Sequence, residues 1–166
     1  MQLIHSDICG PLEVPSLSCI VYFFTFIDDF SRKSWVYFLK HKSEVFSVFQ
    51  IFKSLVENES GKKIKTLRSD NEGEFFKNEF ESFLSKYGIQ HQKTVPYTPQ
   101  QNGVAERKNR TLVEMARCML YSKGLHKKIW AKAVSCANFI LNWVPTKVVK
   151  HATSEEKWNG QKPDIL

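Results

Sequence analysis

Cysteine pairs, repeats and long apolar runs are missing from this 166-residue sequence. The longest apolar stretch, Cys19 to Ile27, has nine residues and a threonine inside it. That is about half of what a membrane-crossing helix needs, and no basic-then-apolar leader opens the chain. The four cysteines (Cys9, Cys19, Cys118 and Cys136) form no C-x-x-C pair and have no zinc-knuckle spacing. They exclude a disulfide frame and read as small core hydrophobes in a reducing compartment. No Ser-His-Asp or Cys-His motif offers a protein nucleophile. What is present is ordinary for a folded chain: 42% hydrophobic and 25% charged residues exclude disorder and collagen-like structure. The expectation is one soluble, intracellular domain, with no membrane and no small-molecule substrate.

The charge is unevenly spread. Lys and Arg outnumber Asp and Glu by 24 to 17. Residues 101–150 hold ten basic residues against two acids, Glu106 and Glu114, so this third of the chain carries the whole positive excess. A field concentrated in this way suits a polyanionic partner, although a lysine-rich solvated helix face produces the same count.

Hydrophobic periodicity outlines the elements. Met1 to Asp7 reads as a short strand. Cys19–Ile27 and Ser34–Leu39 read as a hairpin around the turn residues Asp28-Asp29-Phe30-Ser31. Ser43 to Glu59 takes a helical period through Val45, Val48, Phe49, Phe52 and Val56. Ile64–Ser69 is a strand, Glu79–Tyr87 a short helix closed by Gly88, and Ile89–Val95 a last strand. A long helix is expected from about Gln100 to Ser122, opened by Thr98-Pro99 and closed by Gly124. Another runs from about Lys127 to Asn142, and His151 to Leu166 reads as a partly extended tail. The sum is an α/β domain with a mixed sheet.

Three carboxylates stand out. Asp7 ends the first strand, Asp70 ends the fourth, and Glu106 lies in the first turns of the long helix, with thirty-five residues between it and Asp70. If the first and fourth strands are neighbours, the two aspartates emerge side by side, and a helix packed over that edge brings in Glu106. Such a trio repels itself unless cations bind, and hard oxygen ligands suit magnesium or manganese. On the helical wheel Leu112, Met115, Ala116 and Met119 form the buried face, with Val104 and Ala105 at its edges. Glu106 lies opposite, in a stripe with Asn102, Arg110, Val113 and Arg117. A plain surface Glu106–Arg110 pair fits the same wheel.

Longer sequence words surround these carboxylates. They are His5-Ser6-Asp7-Ile8-Cys9-Gly10-Pro11, Asp28-Asp29-Phe30-Ser31-Arg32, Arg68-Ser69-Asp70-Asn71 with Gly73-Glu74-Phe75, and the run from Pro96 through Gln101-Asn102-Gly103-Val104-Ala105-Glu106-Arg107-Lys108-Asn109-Arg110. Trp130-Ala131, Asn142, Lys157-Trp158-Asn159-Gly160 and Lys162-Pro163 continue the series. In order and spacing the chain resembles the catalytic core of copia-type LTR retrotransposon integrases, part of a Pol polyprotein, over essentially its whole length. The resemblance implies an RNase H-like (retroviral integrase core) fold with a five-stranded mixed sheet flanked by helices. It also implies a D,D-35-E triad at Asp7, Asp70 and Glu106. These would hold two Mg2+ or Mn2+ ions roughly 3.5–4 Å apart for DNA end processing and strand transfer. The implied partners are element cDNA ends and target DNA, met in the nucleus by a homodimer or higher multimer.

The candidate DNA contacts are Asn102 and Arg110, one turn either side of Glu106, with Tyr97, Gln101, Arg107, Lys108, Arg117 and Asn71 beside them. Lys108 either snorkels or makes a structural ion pair. Asp28 and Asp29 read as turn and salt-bridge residues, His5 as structural, and Trp130 and Trp143 as anchors of the last helix. The core is expected over residues 1–150, with 151–166 an extension leading out of it. One departure sits beside a ligand: Glu72 stands where the family usually has glycine, a cost of about 1 kcal/mol if the position needs positive φ. No zinc-binding module precedes the core and Met1 lies six residues before Asp7. The expectation is therefore an isolated core or a truncated reading frame with partial strand-transfer activity. The alternatives are a catalytically silent DNA-binding remnant and an RNase H-type nuclease. The nuclease would want a fourth carboxylate that is not evident.

Overall fold

The computed structural model describes residues 1–70, 77–93, 99–149 and 151–161, with the backbone alone for 77 and 99–102. In chain order the elements are β1 (Leu3–Cys9), β2 (Tyr22–Asp28), β3 (Ser34–Leu39), α1 (Val45–Ser60), β4 (Thr66–Ser69), α2 (Lys77–Lys86), β5 (Gln90–Lys93), α3 (Pro99–Ser122), α4 (Trp130–Trp143) and α5 (Ser154–Asn159). The five strands lie in the order β3-β2-β1-β4-β5. β1, β2 and β3 pair antiparallel, as the hairpin pattern requires, while β1–β4 and β4–β5 are parallel. The parallel β1–β4 pair needs a long return connection, and α1 lies within it.

Helices cover both faces of the sheet, which explains why β2 reads as a nearly continuous apolar run. Its side chains alternate. Phe24 and Phe26 enter a core with Phe49, Phe52 and Val56 of α1 and Leu84 of α2. Phe23 enters a second core with Leu112, Ala116 and Leu120 of α3 and Trp130, Val134 and Ala137 of α4. The Phe26 and Phe52 rings stack at 3.9 Å between centroids. Among the described residues no helix is long and apolar enough to cross a membrane.

Four expectations need correction. The cysteines are not core residues: Cys19, Cys118 and Cys136 are exposed and Cys9 is half-buried. β1 runs on to Cys9 instead of ending at Asp7, because the ladder with β2 continues through Asp7↔Thr25, Ile8↔Phe24 and Cys9↔Phe23. The buried face of α3 is Ala105, Asn109, Leu112, Ala116 and Leu120, with Met115 and Met119 only half-buried. Within 151–161 the chain is not extended but forms α5, started by a capping box in which Thr153 accepts from Glu156 N and Glu156 accepts from Thr153 N. This short helix is docked: Trp158 packs edge-on against Trp35, and Thr153 and Ser154 are buried.

Candidate active site: a three-carboxylate edge

The parallel register of β1 and β4 decides where the aspartates meet. Leu3 pairs with Thr66, Ile4 with Leu67 and His5 with Arg68. Continued at the same offset, that register sets Asp70, the residue after β4, level with Asp7. α3 packs against β1 and β2 through its buried face, which leaves Glu106 exposed near its N-terminal end. Asp7 is half-buried, and its carboxyl is pushed up to about 7. Burial is the largest cause, and the neighbouring charges of Asp70 and then Glu106 push the same way. A hydrogen bond from Asn109 opposes them. The three carboxylates therefore feel one another across the sheet edge.

Asn109 was passed over in the sequence, and it is the residue that orients Asp7. Its Nδ2 donates to Asp7 Oδ2 at 2.9 Å. Its Oδ1 accepts from Thr25 Oγ1 at 2.6 Å. Both Thr25 and Asn109 are buried, so the Thr25–Asn109–Asp7 chain is fixed by packing from β2 and α3. The signal available was a polar residue repeating with Ala105, Leu112 and Ala116 on the apolar face. A second chain was invisible in the sequence: Ser69 Oγ lies 2.8 Å from His91 Nε2, and His91 Nδ1 lies 2.8 Å from Glu81 Oε1. β4, β5 and α2 assemble this Ser-His-Glu arrangement, and Ser69 also lies 3.1 Å from the Asp70 carbonyl oxygen. It braces the residue next to Asp70.

The remaining candidates divide. Arg107, Arg110 and Arg117 are exposed along α3. No ion pair joins Glu106 to Arg110 among the described residues, so the stripe is not a closed salt-bridge ladder. Lys108 is half-buried and its ammonium is lowered to about 8 by burial, with no ion pair among the described residues. Gln101 and Asn102 lie in the first turns of α3, their side chains outside the described residues, as are Tyr97, Asn71 and Glu72 altogether. Asp28 accepts from Ser31 N and Oγ at 2.9 and 2.7 Å, a turn role. Asp29 pairs with His5 Nε2 at 2.7 Å and with Arg32 at 3.4 Å. Burial lowers the His5 pKa despite Asp29, so the histidine is a buried brace for the hairpin. Trp130 is buried in the α3–α4 core, whereas Trp143 is half-buried and stacks on the exposed Phe139.

Among the described residues no three His, Cys, Asp or Glu side chains close around a single point as a finished metal shell. The donor chemistry nevertheless fits a hard divalent cation. All three groups are carboxylates, and the repulsion recorded in the raised Asp7 pKa is what such a cation relieves.

The integrase core domain family matches residues 1–99. The chain is 51% identical, over 98% of its length, to the retrovirus-related Pol polyprotein from transposon TNT 1-94 of Nicotiana tabacum, covering 12% of that protein. It is 39% identical, over 99% of its length, to the corresponding polyprotein from transposon RE2 of Arabidopsis thaliana, covering 11% of it. The chain thus spans about an eighth of the length of these curated relatives. Among solved structures, the magnesium complex of the HTLV-2 integrase catalytic core in its trimeric form matches with a TM-score of 0.69 at 20% identity, over 95% of both chains. A chain of the simian T-cell lymphotropic virus intasome matches with a TM-score of 0.75 at 18% identity, over 99% of this chain and 56% of that one. The fold is the RNase H-like fold of retroviral integrase cores.

Proposed function

The chain belongs to the integrase core domain family, and from that premise we propose that it is a polynucleotidyl transferase core that processes and joins retrotransposon cDNA ends to target DNA. One observation carries the reading: burial, and after it the charges of Asp70 and Glu106, raise the Asp7 carboxyl to about 7, so the three carboxylates sense one another. Asp7, Asp70 and Glu106 would hold divalent ions, magnesium or manganese, two per site. When bound, such ions supply activation of the attacking water or 3′-hydroxyl and charge stabilisation on the leaving 3′-oxygen.

The chain's own residues do the rest. Asn109, backed by Thr25, fixes the Asp7 carboxylate through Oδ2. Arg110 and Arg117, exposed on the stripe that carries Glu106, hold phosphates and set the register of the strand without reading its bases. Arg107, Lys108, Asn71, Tyr97, Gln101 and Asn102 complete the proposed DNA contacts. Residues 1–150 carry every side chain given a chemical role and make the proposed core, and the extension proposed for 151–166 begins with the docked α5. The protein works in the nucleus as a homodimer or larger assembly on DNA.

A disintegration assay tests this reading. A branched DNA is resolved by the wild type in manganese, not in chelator, and Glu106→Gln loses at least about a hundredfold in rate. A wild type that binds the DNA equally well in chelator and never resolves it is a silent remnant, and the catalytic reading fails.

A further inference from the structure

Farther along α3 from the carboxylate edge, the helix forms one wall of a cavity of about 450 Å3. Leu120, Trp130 and Val134 make it apolar, and Leu12 and Val14 of the β1–β2 connection close one side. The exposed Arg117, Tyr121 and Lys127 stand at its rim. We propose that this cavity receives one unstacked base of the bound DNA strand, with the phosphates on either side held by Arg117 and Lys127. The inference rests on the integrase reading and deepens it, by adding a nucleotide site that none of the proposed catalytic residues supplies.

Size selects the occupant. The volume lies in the range of ~300–1,000 Å3 typical of small-ligand sites. It takes one heterocycle with its sugar, but not a helix roughly 10–12 Å across. Charge selects it again. The lining carries two cations, Arg117 and Lys127, against the single acid Glu13. Neither Arg117 nor Lys127 pairs with an acid among the described residues. Tyr121, at the rim and 92% exposed, offers an aromatic ring for a base to stack on.

Position completes the argument. Arg117 follows Glu106 by three turns on one stripe, about 16 Å along the helix axis. At ~3.4 Å per stacked nucleotide that is a separation of about five base steps from the reacting phosphate, and fewer in an unstacked strand. The wall is already built. Trp130 Nε1 donates to Val14 O at 2.9 Å, Leu17 N to Lys128 O at 3.0 Å and Leu12 N to Val21 O at 2.7 Å. An unpaired base entering it meets a preformed site with little ordering cost.

The experiment scans a DNA with a single-stranded 3′ end, removing one base at a time from the second to the eighth nucleotide. Binding is measured by fluorescence anisotropy in manganese for the wild type, Tyr121→Ala and the cavity-filling Val113→Trp. The proposal expects one abasic position to weaken wild-type binding about tenfold, and expects that sensitivity to vanish in both variants. Retained manganese binding by the variants shows that they are folded. A flat scan in a wild type that binds and resolves DNA overturns the base site and leaves the integrase reading intact. So does preferential capture of an acidic apolar peptide at the cavity. A wild type that binds no DNA overturns both.

Discussion

Lys33 and Asp7 are both withdrawn from water, and their surroundings treat them in opposite ways. Lys33 is 7% exposed, donates to Glu155 at 2.9 Å and lies 3.5 Å from Glu59. Its ammonium sits 5.4 and 5.5 Å from the ring centres of Trp35 and Trp158. Acids and aromatic faces answer the buried cation, so charge there fastens α5 and α1 to the sheet. Asp7 meets two further carboxylates, with only uncharged donors, the Asn109 side chain and the Ile8 backbone amide, in its favour. The molecule matches charge at Lys33, where α1 and α5 are fastened to the sheet, and leaves like charges facing at Asp7, where the proposed function puts a cation. A stability cost localised in this way is a functional signature that a list of acidic residues does not contain.

Substitutions on the two sides should therefore move stability in opposite directions. Lys33→Met leaves the half-buried Glu155 without its cation, with Asn159 as its remaining donor, and the expected loss is about 3 kcal/mol. Thermal unfolding should show a Tm lower by roughly 10 °C, and an unchanged Tm would erase the contrast. Asp7→Asn should do the reverse in metal-free buffer. The folded carboxyl titrates near 7 against an ordinary value of 3.8, so the folded state holds its proton more tightly. The penalty is absent below about pH 4, grows as the pH rises, and is complete above about 7. The variant should gain about 1–2 kcal/mol at pH 8, after allowing for solvent screening at the open edge, and nothing at pH 4. Equal gains at both pH values would show that packing, not charge, is responsible.

Smaller effects sharpen the comparison. Asn109→Ala removes the one hydrogen bond that lowers the Asp7 pKa among its side-chain contacts. Carboxyl NMR should place the Asp7 midpoint above its wild-type value, with about 1–2 kcal/mol lost from Thr25 and Asp7 contacts. A midpoint that falls contradicts the relay. The smallest change is expected at Glu57. There burial opposes ionisation, but Lys53 and the Ile64 amide lower the pKa below 4.5. Its contribution is present above about pH 4.5 and lost as the pH falls through the lowered value. Glu57→Gln should cost about 1 kcal/mol at pH 7 and make the acid side of the stability curve shallower.

Much of the frame was legible. β2, β3 and α1 announce themselves by period, and Pro99 and Gly124 bracket α3 because proline suits a first turn and glycine a left-handed exit. The carboxylate spacing became informative only with the β1–β4 register, a long-range pairing that no local pattern encodes. α5 was missed because six residues give no usable period, although the Thr153-Ser154-Glu155-Glu156 capping word was there to be read. Asn109 was missed because a wheel sorts by hydropathy, and a polar group buried for its hydrogen bonds looks misplaced on it. The Ser69–His91–Glu81 chain joins two strands and a helix, so only the assembled sheet reveals it.

The central claim is that Asp7, Asp70 and Glu106 form one cation-binding cluster. Calorimetric titration of manganese into the wild type and Glu106→Gln at pH 7.5, without DNA, tests it most directly. The account predicts saturable binding in the wild type and at least about tenfold weaker binding in the variant, which loses one anionic ligand. Superimposable isotherms for the two proteins would contradict it.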